Sequence, residues 1–294
     1  MQLQKPFIQK NIDIMNNNPE VVVDVLRLDV IDEVISGNKW FKLRNYIAEA
    51  GKLNKKIILT FGGAYSNHIV ATAATCNRLG FESIGIIRGE IPPVLSHTLV
   101  QAKANGMKLK FISREDFRKK QIPASVNAEE CYVINEGGYG LPGAKGIEEM
   151  FYDFETKNYT DIFCAVGTGT MMAGLIKASE TFQTVNGISV LKNFPGIKNE
   201  IESLLTEEEK TKSYNLLTDY HFKGYAKYSA ELLDFMNIFF EKNHIPSDFV
   251  YTGKLFFAVS KISCLAKFNG KRLLIVHSGG LQGNLSLPKG ALNF

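Results

Sequence analysis

The sequence predicts an α/β protein built on open, twisted, mainly parallel sheets covered by helices. Three observations carry that expectation. From about residue 55 to residue 194, short β-branched runs alternate with longer helical patterns. The apolar runs have strand length and little polar alternation, as strands covered on both faces require. Glycine-rich turns follow three of the strands, at the carboxyl ends where ligands collect in such sheets.

Taken in order, Trp40 to Tyr46 has a helical pattern. Lys56 to Phe61 reads as a buried strand and Asn67 to Leu79 as a helix. Glu82 to Ile87 reads as a strand and Val94 to Asn105 as a helix. Met107 to Ile112 and Cys131 to Ile134 follow as strands. Gly143 to Glu155 reads as a helix, Asp161 to Val166 as a strand, Met171 to Phe182 as a helix and Gly187 to Leu191 as a strand. Beyond these, Ala230 to Lys242 and Leu255 to Phe268 are amphipathic helices, and Leu273 to Val276 is a strand running into His277-Ser278-Gly279-Gly280. The charge run Glu207 to Lys212 reads as a surface helix end or loop. No repeat, linker or composition shift marks a domain boundary, so two domains would be interleaved or tightly joined.

At 294 residues, with 45% hydrophobic and 22% charged residues, the composition is that of a soluble globular protein. A formal charge of +4 is mild. The basic groups at 52–56 and Arg118-Lys119-Lys120 have no basic arm or RNA motif beside them, so nucleic acid is not an expected partner. Four cysteines, none in a C-x-x-C pair, give no zinc or redox motif. Three lie in apolar runs and read as free buried thiols. No signal-peptide core and no run of membrane-spanning length is evident, so the expected setting is cytoplasmic, with no membrane partner.

Lys39 stands in Ser36-Gly37-Asn38-Lys39, just before the helical pattern from Trp40. A lysine at a helix N-terminus meets positive potential, and with burial this makes a neutral, nucleophilic amine accessible near neutral pH. Such an amine can condense with an aldehyde. Lys42 lies nearly one turn on and shares that face, so spacing alone leaves both lysines open. Gly62-Gly63-Ala64-Tyr65-Ser66-Asn67-His68 follows a strand and opens a helix; Ser66 is a good N-cap, and the amides after it suit a carboxylate. Gly167-Thr168-Gly169-Thr170 offers hydroxyls and amides at a helix start, which suits a phosphate.

Other phosphate readings fit less well. A dinucleotide fingerprint needs glycine where Met172 stands, and the next strand ends at Lys192 instead of an acid. Gly138 and Gly143 have P-loop separation, but Ala144 occupies the lysine position.

Five motifs in order, Ser36-Gly37-Asn38-Lys39 with Lys42-Leu43, Gly62-Gly63 with Ser66-Asn67-His68, Gly167-Thr168-Gly169-Thr170, Tyr251-Thr252-Gly253-Lys254 and His277-Ser278-Gly279-Gly280, resemble the 1-aminocyclopropane-1-carboxylate deaminase / D-cysteine desulfhydrase family. The resemblance covers nearly the whole chain. It implies a tryptophan-synthase-β-like fold of two interleaved sheets, with residues 1–41 and 147–294 in a large domain and 42–146 in a small one. It implies pyridoxal 5′-phosphate as cofactor, a small amino acid as substrate and a homodimer as assembly.

By the same resemblance Lys39 is the cofactor lysine and general base. Asn67 bonds the pyridoxal 3′-oxygen, and Ser66 with the amides of Asn67 and His68 holds the substrate carboxylate. Gly167, Thr168, Gly169 and Thr170 cup the phosphate. Tyr251 matches an active-site tyrosine and Tyr225 a second. Ring-opening members carry glutamate facing the pyridine nitrogen where this chain has Thr252, and an apolar residue where it has Ser278. Hydroxyls at both places look more like D-cysteine desulfhydrases. A carboxylate would strengthen the electron sink, and expelling a thiolate needs that help less than opening a carbon ring. The expected reaction is therefore β-elimination to keto acid, ammonia and sulfide, with 1-aminocyclopropane-1-carboxylate deamination to 2-oxobutanoate as the alternative. A non-enzymatic or nicotinamide-binding α/β protein is a remote one.

Overall fold

The computed structural model describes residues 3–15, 18–192 and 194–294. Along the chain run β1 (Phe7–Gln9), β2 (Val22–Arg27), α1 (Asn38–Lys52), β3 (Ile57–Gly62), α2 (Asn67–Leu79), β4 (Glu82–Arg88), α3 (His97–Ala104), β5 (Lys108–Ile112), α4 (Arg114–Arg118) and β6 (Cys131–Ile134). Then come α5 (Leu141–Phe151), β7 (Asp161–Val166), α6 (Thr170–Ala178), β8 (Thr184–Ser189), α7 (Ile197–Glu202), β9 (Tyr214–Leu217), α8 (Ala230–Asn243), α9 (Thr252–Ile262) and β10 (Arg272–His277).

Two sheets form, as expected. A six-stranded sheet has the order β1-β2-β10-β7-β8-β9, and a four-stranded sheet the order β5-β4-β3-β6. Only the β1–β2 pair is antiparallel among the described residues. The chain leaves the larger sheet after β2, builds the whole smaller sheet and re-enters at β7, so the sheets are interleaved. β10, last in sequence, lies between β2 and β7, with Leu273 opposite both Val23 and Asp161.

Alternation along β7 shows why the larger sheet is covered twice. Ile162, Cys164 and Val166 pack with α5 and α6, whereas Phe163 and Ala165 pack with Phe256 and Val259 of α9. Helices α1, α5 and α6 approach closely because glycines face the contacts. A Cβ at Gly146 would collide with the Phe41 carbonyl, and one at Gly174 would lie 2.5 Å from the Ala144 carbonyl oxygen. These crossings tie the start of α1 to the start of α6, the two places that matter most below.

Several element limits differ from the expectation. α3 begins at His97 because Ser96 caps it, accepting from the Leu99 amide at 3.2 Å, while Val94 stays outside, 83% exposed. α5 starts at Leu141, where Pro142 fits a first turn, and ends at Phe151. α6 stops at Ala178 and β8 starts at Thr184; between them Gln183 donates to the carbonyls of Thr156 and Tyr159. α9 starts three residues earlier than its apolar pattern and stops at Ile262, followed by a short 3-10 turn at Ala266–Phe268. β2 escapes a reading by pattern because Asp24 and Arg27 interrupt it. Both are buried and paired, Asp24 to Tyr159 at 2.7 Å and Arg27 to Asp29 at 2.7 and 2.8 Å. The cysteines are free, with Cys76, Cys131 and Cys164 buried. Among the described residues no helix is long and apolar enough to cross a membrane.

Candidate active site

Lys39 lies in the first turn of α1, where the sequence pattern placed it. Two turns interlock to put it there. Gly37 has φ 64°, a left-handed conformation that glycine adopts freely, and a Cβ on it would collide with the Ser278 carbonyl. The Asn38 amide donates to that same carbonyl at 3.1 Å, and the Gly280 amide donates to Ser36 Oγ at 3.3 Å. Lys39 therefore sits at the carboxyl end of β10. Its Nζ donates to Asn38 Oδ1 at 2.7 Å, and Asn38 Nδ2 contacts Met171 Sδ at 3.1 Å. Burial lowers the Lys39 pKa to about 8, partly opposed by the Asp248 carboxylate.

Lys42 shares that face. It is buried, and its Nζ makes one long bond, 3.5 Å, to the Gly137 carbonyl. Burial and the charge of Lys39 push it well below the ordinary lysine range. Gly137 in turn faces Thr168, since a Cβ on it would lie 2.8 Å from Thr168 Cγ2. Lys42 thus approaches the glycine turn before α6.

That turn opens α6 through Gly169, with φ 84°. Thr168 and Thr170 hydroxyls lie 3.2 Å apart. A Cβ on Gly167 would come within 3.2 Å of the Tyr251 ring. Ser66 caps α2 as expected, accepting from the Ile69 amide at 3.4 Å. Asn67 Nδ2 donates to the Gly280 carbonyl at 3.3 Å, whereas Asn67 Oδ1 is buried without a hydrogen-bond partner. The side chain of His68 turns away into the core. Thr60 gives its hydroxyl proton to the Ile134 carbonyl at 2.9 Å, so it accepts from His68 Nε2 at 2.9 Å. Burial and the charges of Lys39 and Lys42 hold the ring neutral.

Tyr251 immediately precedes α9. Its hydroxyl donates to that of Tyr225 at 3.4 Å, with the rings 6.0 Å apart at 73°. Tyr225 is 44% exposed, and desolvation by the residues packed around its hydroxyl raises its pKa. Tyr251 is raised well above the usual phenol range by burial and by Tyr225. Both phenols hold their protons at neutral pH. Thr252 and Ser278 are buried, Thr252 completely.

One residue that pattern reading did not single out belongs to this region. Asp248 is fully buried and accepts from the amides of Val250, Tyr251 and Thr252 and from the Thr252 hydroxyl, at 2.8 to 3.0 Å. Burial raises its pKa against those bonds. A Cβ on Gly280 would lie 2.8 Å from Asn67 Nδ2 and 3.8 Å from Asp248 Oδ1, so the acid faces the same wall of the site. An acid shortly before a helix start is a capping signal, hidden here because the apolar pattern starts at Leu255. Lys42, which its spacing kept as a rival to Lys39, reaches the Gly137 carbonyl instead.

The residues fit a phosphorylated aldehyde. The poorly paired, buried amine of Lys42 approaches a glycine turn at a helix start. The side-chain oxygen of Asn67 lacks a partner, its nitrogen bonds the Gly280 carbonyl, and the depressed Lys39 is held by the same 278–280 turn.

Solved structures share this architecture. One described as an ACC deaminase homologue matches with TM-score 0.82 at 24% identity, over 96% of this chain and 91% of its own. A hydrogen sulfide-producing enzyme from Fusobacterium nucleatum matches with TM-score 0.66 at 14% identity, over 97% and 98%. The fold is the tryptophan-synthase-β-like one of fold type II pyridoxal-phosphate enzymes. No family model matches the chain. A Thermotoga maritima protein, provisionally named 1-aminocyclopropane-1-carboxylate deaminase, is 30% identical over 281 residues, 88% of each chain. The bifunctional mitochondrial D-cysteine desulfhydrase/1-aminocyclopropane-1-carboxylate deaminase of Arabidopsis thaliana is 27% identical over 96% of this chain and 77% of its own. The chain belongs to the 1-aminocyclopropane-1-carboxylate deaminase / D-cysteine desulfhydrase family of enzymes.

Proposed function

We propose that the chain binds pyridoxal 5′-phosphate through Lys39 and carries out a D-cysteine desulfhydrase-like β-elimination on a small α-amino acid. The Lys39 amine carries this reading: it is depressed to about 8, the turn 278–280 that fixes its backbone also bonds Asn67, and the neighbouring Asn38 contacts Met171 at the start of α6. When bound, the cofactor supplies the sink for negative charge at Cα.

The rest falls to the chain. Lys42 and the Gly167–Thr170 amides and hydroxyls bind the phosphate. Ser66 and the first amides of α2 hold the substrate carboxylate, which fixes Cα toward Lys39. Near neutral pH a fraction of Lys39 is neutral and takes the Cα proton. The C–H pair becomes the Cα–Cβ double bond as the Cβ–S bond breaks, and sulfur departs with its pair. Tyr251 and Tyr225, both protonated, can give the departing sulfur a proton. Cβ then takes up a proton, giving an imine, and water displaces its nitrogen to leave keto acid and ammonia.

Ring opening of 1-aminocyclopropane-1-carboxylate to 2-oxobutanoate and ammonia is the second reading. Asp248 favours it, because its carboxylate stands one hydrogen bond behind Thr252, at the position where ring-opening relatives carry glutamate. The deciding experiment compares sulfide release from D-cysteine with keto-acid release from the cyclopropane acid. We expect a higher kcat/KM for D-cysteine; preference for the cyclopropane acid would reverse the order of the two readings. Borohydride reduction followed by peptide mapping should place the cofactor on Lys39, and label on another lysine would overturn that assignment. A homodimer is the assembly the family resemblance suggests, which sedimentation of the holoenzyme measures.

A further inference from the structure

Lys254 is a fully buried lysine to which the mechanism gives no task. Its Nζ donates to the carbonyls of His221 and Gly224, each at 2.9 Å. Both carbonyls belong to the irregular segment 218–229 between β9 and α8, the segment that carries Tyr225. That segment has no helix or strand ladder of its own, and Phe222, Lys223, Gly224 and Ala226 all have positive φ. Three non-glycine residues in the left-handed region need outside support to persist.

The support comes from one face of α9. Tyr251, Lys254 and Phe257 follow at intervals of three, the spacing that aligns side chains along a helix. Tyr251 meets Tyr225 through the hydroxyl pair at 3.4 Å. Lys254 meets the two carbonyls. Phe257 meets the Phe222 ring edge-on at 5.0 Å. The middle contact is polar and at least partly buried, and it adds a side-chain donor from α9 to two carbonyls that otherwise accept only turn amides, from Gly224 to His221 at 3.0 Å and from Lys227 to Gly224 at 3.2 Å.

We propose that Lys254 is a positioning residue: by clamping the carbonyls of His221 and Gly224 it seats the 218–229 segment on α9 and so fixes the Tyr225 hydroxyl against Tyr251 at the reacting centre. The inference rests on the reading of Tyr225 and Tyr251 as site residues and goes beyond it, since Lys254 itself touches neither.

The test uses the holoenzyme with Lys254→Met, Lys254→Arg, Tyr225→Phe and the Lys254→Met/Tyr225→Phe pair. Lys223 and Lys227 are exposed on the segment and report its seating through tryptic cleavage. Lys254→Met should speed cleavage there by about tenfold or more while other sites keep their rates; Tyr225→Phe should not, and Lys254→Arg should restore part of the protection. Lys254→Met should lower kcat more than it raises KM, and in the Tyr225→Phe background it should lower kcat less than about twofold further. Unchanged cleavage at 223 and 227, or multiplicative losses of kcat in the pair, would overturn the clamp. If Tyr225→Phe alone leaves kcat intact while cleavage responds to Lys254→Met, the clamp stands and the reading of Tyr225 as a reacting group fails. If Lys254→Met does not fold, Lys254→Arg carries the same two comparisons.

Discussion

The Asp248 amide donates to Thr252 Oγ1 at 2.8 Å, and that hydroxyl donates back to Asp248 Oδ1 at 2.8 Å. The Thr252 hydroxyl therefore has its proton committed to a buried carboxylate. Asp248 also raises the pKa of Lys39 against the burial that lowers it. Asp248→Asn should move the Lys39 amine further below about 8. A carbon-13 titration of ε-labelled lysine in cofactor-free protein reads this directly; an unchanged Lys39 midpoint would contradict the coupling. The same variant turns an ionic acceptor of three amides and the Thr252 hydroxyl into a neutral one, so stability should fall, by about 1 kcal/mol, in denaturant melts.

Lys39 and stability are linked with a definite sign. Its folded pKa, about 8, lies below the ordinary value of 10.5, so the unfolded chain binds more protons between those limits. The Lys39 contribution to unfolding free energy therefore rises with pH across that window, by at most about 1.4 kcal/mol per pH unit. Cofactor-free Lys39→Met should lack this slope. Denaturant melts of the two proteins at pH 7 and 10 should differ by less at the higher pH, and parallel profiles would refute the depressed pKa.

Lys39→Ala should lower kcat by about a thousandfold or more, through loss of the base and of the cofactor bond. Steady-state rates with saturating cofactor measure it. Fold should persist, because among the described residues Lys39 makes no ion pair that α1 depends on.

Lys42→Met should weaken cofactor retention by about tenfold or more while leaving peptide mapping of the reduced adduct on Lys39. Equilibrium dialysis decides this. Unaltered affinity would remove Lys42 from the phosphate site.

Gly37→Ala should be among the most damaging small substitutions. The added Cβ meets the Ser278 carbonyl and the residue has φ 64°, so the interlock of 36–38 with 278–280 must open. A stability loss of about 2 kcal/mol or more, with weaker cofactor binding, is expected in thermal melts and dialysis.

Local pattern carried a large part of this molecule. α2 and the strands β6 and β7 fall at their expected limits, because strong periodicity and clear turns bound them. The Ser66 cap, the helix start at Lys39 and the glycine turn at 167–170 were legible for the same reason: each is a short segment whose conformation its own residues dictate. Helix ends went astray at α3, α6 and α9, where a capping side chain or a distant partner overrode the apolar pattern.

By itself the sequence determined the parallel α/β class, the order of the motifs and the lysine at the head of α1. Tertiary structure alone decided that Asp248 faces the Gly280 turn, that Lys42 reaches Gly137, and that Lys254 holds the loop carrying Tyr225. These contacts join segments far apart in sequence, brought together by where β10 inserts, how α1, α5 and α6 pack, and how α9 meets residues 218–229. Such distances are set by the shape of a closed core, and no spacing along the chain encodes them singly.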